Sequence, residues 1–411
     1  MSALTLAHKI RLRPNREQEN YFLRACGISR FVWNWALEAW KKGYERGEKP
    51  NALELKKRFN AIKAEAFPWT YEVTKYASQQ PFIHLQSAFQ RFFRKQSQYP
   101  RFKRKGVSDA FYIGGDHVQV KGKRIRIPKL GWVRMRESLR FSGKVHSATV
   151  CRVADHWYVS LSVELSETPK PCESQEGIGV DLGINRLATL SNGEMFEGPK
   201  PLRRELKKLQ RLSRRLSRKK KGSKNRDKAR TKLARLHLRI RNIRQDALHK
   251  LTSYLTQNFY EIAIEDLNVA GMIRNQHLAR AILDMGFYEF RRQLVYKSML
   301  RRCHVVAVDR WFPSSKMCSR CGAIKYDLPL GERIYQCGTC GRVVDRDLNA
   351  ADNVARIVFD PLSTVSSIGI QACGEASAGS GTVSYTHLRA HETGRHISYA
   401  VFCLKRGGGG G

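Results

Sequence analysis

The chain has 411 residues, 42% of them hydrophobic, enough for two or three domains with their own cores and too many for a disordered tail. Its 75 Lys and Arg outweigh 36 Asp and Glu, a formal net charge of +39 at pH 7. A field of that size gathers long polyanions and argues against a small anionic metabolite as the partner, and no run of about 18 apolar residues offers a membrane span.

The opening stretch LTLAHKIRLRP alternates apolar and polar residues, the period of a half-buried strand. Asn15 then stands as N-cap to NREQENYFLRACGISRFVWNWALEAWKKGYE, where Phe22, Phe31, Trp35 and Trp40 fall at helical spacing and a break is expected near Gly27. A second helical block is expected from about Ala52 to Arg94, interrupted at Pro68 and Pro81. It leads into FQRFFRKQSQYPRFKRKG, whose aromatics interleave with Arg and Lys. Such a mix suits backbone contact with base stacking, and Arg101 and Lys103 are its candidate phosphate contacts. Phe89, Phe92 and Phe93 read first as core.

From Phe111 to Leu165 the pattern changes to period two, with glycines and short polar turns between runs. That predicts a small, mostly antiparallel β domain, which the opening strand can join. The linker SETPKPCESQ ends it and marks a domain boundary.

Next, EGIGVDLGINRLATLSNGEMFEG reads as strand, strand, Asn-Gly turn and strand. A charged helical hairpin follows. Leu202, Leu206, Leu209, Leu212 and Leu216 mark one arm, Leu233, Leu236, Ile240 and Ile243 the other, and KKGSKN the bend. Between Arg203 and Arg244 basic residues outnumber acidic ones by about ten to one. A solvated helix face is the ordinary meaning of a charge run, but so lopsided a one favours phosphate contact, with Arg214, Arg215 and Lys219 as candidates.

The apolar runs YEIAIEDL and HVVAVDRW flank the helix-like FYEFRRQLVYKSMLRR, which predicts parallel, buried strands. Three strands in a meander, a helical insertion, strand, helix, strand, a cysteine knuckle and a last helix follow the order of the ribonuclease H-like fold. From about Val358 the chain becomes low in complexity and ends in a glycine run. That tail, including His387 and His391 at i, i+4 spacing, is set aside from the fold as disordered or artefactual.

Two groups of residues carry chemistry. Cys318, Cys321, Cys337 and Cys340 form two Cys-x-x-Cys pairs fifteen residues apart, the spacing of a closed, structural Zn²⁺ tetrahedron. The six other cysteines are scattered, which reads as reduced, intracellular cysteine. Asp181 and Glu265 interrupt the apolar runs IGVDLG and IAIEDL, and Asp347 opens the helix DLNAADNVARIV. A buried carboxylate without a partner is costly, whereas several converging on metal ions can drive phosphodiester hydrolysis. Each alone could be a structural, ion-paired acid, and Asp266 and Asp345 are close rivals for Glu265 and Asp347.

GVDLG, IEDLN, FPSSKMCSRCG, CGTCG and DRDLNAADN, with IRLRPNREQ, RFVWNWAL and YPRFKRKG upstream, resemble the TnpB family of transposon-encoded nucleases over roughly residues 5 to 357. Compact type V CRISPR effectors share the likeness. The resemblance implies an α/β multidomain chain: a wedge β domain (1–13 and 110–168), a helical recognition domain (14–109), and a RuvC nuclease domain (175–357) with a hairpin at 202–250 and a zinc ribbon at 312–345. It implies Asp181, Glu265 and Asp347 as Mg²⁺-binding acids in two-metal catalysis. It further implies a guide RNA from the transposon end, cleavage of double-stranded DNA beside a short target-adjacent motif, and a monomeric ribonucleoprotein in a prokaryotic, nucleoid-associated cytoplasm. Gln79 and Gln80 resemble the motif-reading helix, since Gln can read adenine in the major groove. An effector using a CRISPR RNA and a nuclease-inactive, RNA-guided DNA-binding regulator are the alternatives. A strand-transferring transposase is disfavoured, because no His-hydrophobe-His motif with a tyrosine nucleophile is present.

Overall fold

The computed structural model describes residues 4–167, 169–329, 331–359 and 368–369. Two compact units divide at residue 168, each with its own core.

The first unit begins with β1 (Thr5–Arg13), whose alternate residues Ile10 and Leu12 are buried. Helix α1 (Arg16–Glu45) starts at a capping box: Asn15 Oδ1 accepts from Gln18 N at 2.8 Å, and Gln18 Oε1 accepts from Asn15 N at 3.1 Å. The helix does not break at Gly27. An interior glycine costs about 1 kcal/mol, and the buried stripe Phe22, Ala25, Cys26, Ile28 and Val32 spans the site and outweighs it. After α2 (Ala52–Ala66) and a 3₁₀ turn opened by Pro68, α3 (Tyr76–Phe93) runs straight through Pro81. Here too packing overrides punctuation. One lost hydrogen bond is offset by Ala77, Phe82, Leu85 and Phe89, all buried on one face with Pro81 itself. Phe89 is core, but Phe93 is exposed.

Strands β2 (Ala110–Gly114), β3 (Gln119–Lys121), β4 (Arg124–Ile127), β5 (Gly131–Met135), β6 (Gly143–Val153) and β7 (His156–Leu165) complete the unit. They form one antiparallel sheet in the order β2-β6-β7-β1-β5-β4-β3. The first strand is therefore central, pairing β7 on one side and β5 on the other. Helices and sheet share a continuous apolar core that includes Phe22, Phe59, Phe82, Phe111 and Leu161.

The second unit opens with β8 (Gly177–Asp181), β9 (Ala188–Leu190) and β10 (Met195–Phe196), joined by an antiparallel meander with the Asn-Gly turn at Asn192. The basic hairpin follows as α4 (Pro201–Ser217) and α5 (Lys224–Asn258). Asp284 anchors its base: the carboxylate accepts from Leu202 N and Arg203 N at 3.0 Å each and pairs with Arg244 at 3.1 Å. Next come β11 (Glu261–Glu265), the short helices α6 (Val269–Met272) and α7 (Ala279–Met285), α8 (Phe287–Arg301) and β12 (His304–Val308). The knuckle carries the hairpin β13 (Ile334–Gln336) and β14 (Val343–Asp345), and α9 (Arg346–Phe359) follows without a linker.

The main sheet runs β10-β9-β8-β11-β12, with β8, β11 and β12 parallel and one more strand at the β12 edge. The edge strand β15 (Ile368–Gly369) lies in the stretch set aside from the sequence and pairs antiparallel with β12. His387 and His391 lie outside the described residues. Within β11 the strand period divides the core: Ile262 and Ile264 meet Leu248, Leu251, Phe290 and Leu294 of α5 and α8, whereas Ala263 meets Val354 and Ile357 of α9. Gly179 allows α9 to lie close, since a Cβ there would sit 2.1 Å from the Ala351 carbonyl oxygen.

Candidate active site and metal knuckle

Parallel pairing fixes the first two acids. Val180 stands opposite Ile264, so Asp181 and Glu265 close neighbouring strands at the same end of the sheet. Asp347 enters from the first turn of α9, which packs against β8. Burial holds the Asp181 carboxyl well above the ordinary carboxylate range; the charges of Glu265 and Asp347 add to the rise, and Arg346 offsets only part of it. Burial likewise raises Glu265, opposed by a hydrogen bond from Ser314 Oγ to Glu265 Oε1. Asp347 has an exposed Arg333 guanidinium 3.8 Å away.

The rival acids are ion-paired. Asp266 accepts from Arg291 and from Arg310, the latter at 2.5 Å; the Arg310 bond first, then the one to Arg291, keep it below the ordinary value. Asp345 pairs with Arg186 at 2.9 Å and accepts from Asp347 N and Leu348 N at 2.9 and 3.2 Å. Burial would raise its pKa, but Arg186 and these backbone bonds bring it down. Asp345 is thus the N-cap that presents Asp347.

The cysteine quartet is compact. All four Sγ atoms lie within 4.8 Å of one another, with Cys318–Cys340 and Cys321–Cys337 at 3.6 Å. A tetrahedron with Zn–S near 2.3 Å has edges of about 3.8 Å, so the donor set suits Zn²⁺. Each pair ends in a glycine of positive φ, Gly322 at 77° and Gly341 at 70°, which lets the chain turn tightly after the second cysteine. The Cys340 N–H donates to Cys337 Sγ and draws that thiol down to about 6, favouring the thiolate a metal needs. Cys321 moves the other way, to about 11: the Ala323 N–H lowers it, but lost solvation and three thiol neighbours raise it.

Side chains that the sequence reading missed fasten the knuckle to the acids. Asn349 and Asn353, both fully buried, donate to the Met317 carbonyl at 2.6 Å each, and Asn353 also donates to the Ser314 carbonyl at 2.7 Å. Asn349 Oδ1 accepts from Ser319 N at 3.0 Å and from its hydroxyl at 2.8 Å. The i, i+4 asparagines of DLNAADN and the serine of FPSSKMC were the available signal, because polar residues on a buried helix face must find partners.

The proposed nucleic-acid contacts are mixed in character. Arg214 and Arg215 are exposed on α4, and the Lys219 carbonyl accepts from Arg226 at 2.7 Å at the bend. Arg101 is exposed, donates to Gln98 at 3.1 Å and accepts at its carbonyl from Trp33 Nε1. Lys103 instead lies over the Trp33 ring, Nζ 3.9 Å from the centroid, and burial lowers its amine to about 8. Gln79 and Gln80 are half-buried on α3, with Gln80 Nε2 3.3 Å from His84 Nε2.

A meander, two further parallel strands and a terminal helix, with acids closing β8 and β11 and opening α9, form a mixed α/β unit. Three family profiles match the chain: "Probable transposase" over residues 160–276, "Cas12f1-like, TNB domain" over 287–354, and "Helix-turn-helix domain" over 1–49. The described part of the last span holds one strand and one unbroken helix. "Putative RNA-guided DNA endonuclease InsQ" of Escherichia coli (strain K12) is 37% identical over 370 residues, 85% of this chain and 91% of that protein. "Putative RNA-guided DNA endonuclease" of Streptomyces pristinaespiralis is 38% identical over 363 residues, 86% and 89% of the two chains. The chain belongs to the TnpB family. Its fold is shared with the protein of a "Cryo-EM structure of the Cas12f1-sgRNA-target DNA complex", at a TM-score of 0.53 and 14% identity, covering 86% of this chain and 99% of that one. No described helix is long and apolar enough to cross a membrane.

Proposed function

We propose that the chain is an RNA-guided DNA endonuclease whose Asp181, Glu265 and Asp347 bind divalent metal, Mg²⁺ in the cell, and whose cysteine quartet holds a structural zinc. The observation that carries this reading is the set of acids itself: Asp181 and Glu265 are half-buried at the ends of paired strands, and desolvation first, then the charges of Glu265 and Asp347, raise the Asp181 carboxyl and leave it in want of a cation. Hard carboxylate oxygens suit Mg²⁺. When bound there, such ions polarise a scissile phosphate and activate a water.

The chain's own residues set the stage. Asp345 fixes the first turn of α9 and hence Asp347, and Arg186 fixes Asp345. Ser314 orients Glu265, and Arg291 with Arg310 keep Asp266 out of the cluster. The relatives' names and the fold neighbour's title support RNA and DNA as the partners; in this reading a guide RNA pairs with target DNA while the protein holds backbone and a short adjacent motif. The helices of the first unit serve as recognition domain and its sheet as wedge, and the particle is a monomeric ribonucleoprotein acting in the cytoplasm on chromosomal DNA. Membership of the TnpB family favours a guide from the transposon end over a CRISPR RNA.

The test is cleavage of a plasmid carrying a target matched to the copurified RNA, in Mg²⁺. RNA-dependent cutting at that target, lost in Asp181→Ala and Glu265→Ala while guided binding persists, is the expected result. Cutting at a defined site by RNA-free protein would overturn guidance, and cutting by either variant would overturn the acid assignment.

A further inference from the structure

The loop after β12 is fastened residue by residue, with one exception. Asp309 Oδ1 accepts from Trp311 N at 2.8 Å, and the Asp309 carbonyl accepts from Phe312 N at 3.1 Å, so the backbone is locked in a tight turn. Arg310 points to Asp266. Phe312 packs against Ala263, Val308, Val354 and Ile357. Ser314 is buried and donates to Glu265. Trp311 alone turns outward: at 84% exposure it is the most exposed large hydrophobic side chain among the described residues.

A tryptophan held in water by a rigid turn gives up the largest apolar burial any side chain can offer. An exposed aromatic in that position is informative because it is one residue from Arg310 and three from Ser314, which holds an acid of the cluster. Arg310, bonded to Asp266, and Ser314, bonded to Glu265, tie the turn to the end of β11, which places it beside the path of a strand whose phosphate reaches those carboxylates. Bases in a duplex already cover one another's faces, whereas an unpaired strand offers them free. The adjoining Arg291 and Arg310 share the single Asp266 carboxylate, which leaves positive charge beside the ring, suited to the phosphate of a stacked strand.

We propose that Trp311 is a stacking platform for the unpaired DNA strand entering the acid cluster, its indole taking a base next to the phosphate to be cut. The proposal rests on the nuclease reading above and adds a positioning residue: the strand's place is set by stacking on Trp311 as well as by the acids. Stacking is tolerant of sequence, as a guided nuclease requires at its cutting site.

The experiment uses the full chain with its copurified RNA. In an Asp181→Asn background, which should bind without cutting, a short single-stranded DNA carrying 2-aminopurine is titrated and its fluorescence followed. Stacking on Trp311 quenches the probe; Trp311→Ala should abolish the quench and weaken single-strand binding by roughly tenfold, the scale of one lost base–aromatic stack. Trp311→Phe should keep most of both, because it retains a ring. With Asp181 restored, Trp311→Ala should raise KM for single-stranded DNA much more than it lowers kcat, and leave affinity for the guide RNA unchanged. An unaltered quench and KM in Trp311→Ala, with RNA-dependent cutting intact, would overturn the stacking role and spare the nuclease reading. Quenching without any RNA-dependent cutting would do the reverse.

Discussion

Ser314→Ala is the most incisive single change at the acid cluster. The serine hydroxyl donates to Glu265, and this bond alone among the stated influences opposes the burial that raises the Glu265 carboxyl. A hydrogen bond to a charged group contributes about 1.5–3 kcal/mol, and each 1.36 kcal/mol corresponds to roughly one pKa unit. Removal therefore raises Glu265 further, and the proton competes better with a divalent cation for the same oxygens. The sign follows: the deficit is largest at low pH and shrinks as pH rises past the new value. Expected is an increase of about tenfold in the Mg²⁺ needed for half-maximal cutting at neutral pH, with the pH–rate profile moved to the alkaline side. Ser314→Thr, which keeps the hydroxyl, should stay close to wild type. Cleavage rates across a Mg²⁺ series at several pH values, with guided binding as control, decide the matter. An unchanged Mg²⁺ requirement and profile in Ser314→Ala would refute it.

Asp181→Asn removes a charge that burial and two acids disfavour. A folded-state pKa raised above the unfolded one costs stability as pH rises past the unfolded value, and costs it in full above the folded one, so the metal-free variant should melt about 2–4 °C higher at neutral pH by scanning calorimetry, for each 1 kcal/mol relieved, and Mg²⁺ should stabilise only the wild type. Freshly purified protein should carry about one zinc per chain by elemental analysis, lost in Cys318→Ser/Cys340→Ser together with cutting. Replacing Arg211, Arg214, Arg215 and Arg218 by Gln should lower the steepness of guide-RNA affinity against log salt by about 3, given roughly 0.7 per phosphate contact on single strands, as read by filter binding.

The sequence announced the nuclease-like unit through signals that are local. Alternating and continuous apolar runs set β8, β11 and β12, Asn192-Gly193 set the turn before β10, and leucines at helical spacing set α4 and α5. Local punctuation misled where burial was strong: Gly27 and Pro81 would each break an exposed helix, yet both lie among fully buried neighbours. Periodicity could not distinguish Glu265 from Asp266 or Asp347 from Asp345, because acids so close along the chain share every sequence property. What separates them is which guanidinium lies near, Arg291 and Arg310 for one and Arg186 for the other, brought from as far as 159 residues away.

The same long-range bonds explain why a metal knuckle abuts the acids. Zinc would fix Cys318 and Cys340 in one tetrahedron, and each of these cysteines continues into a different wall of the cluster. Upstream of Cys318, the Met317 and Ser314 carbonyls are held by Asn349 and Asn353, and Ser314 in turn holds Glu265. Downstream of Cys340, β14 delivers Asp345, which caps α9 and sets Asp347. A cation-poor centre of buried carboxylates tends to spread apart under its own repulsion. A closed metal site that grips both walls resists that spreading at a distance from the reacting phosphate, without offering a ligand position to it. Loss of the knuckle should therefore displace Glu265 and Asp347 together, while Asp181, set by β8 and its pairing to β11, stays in place.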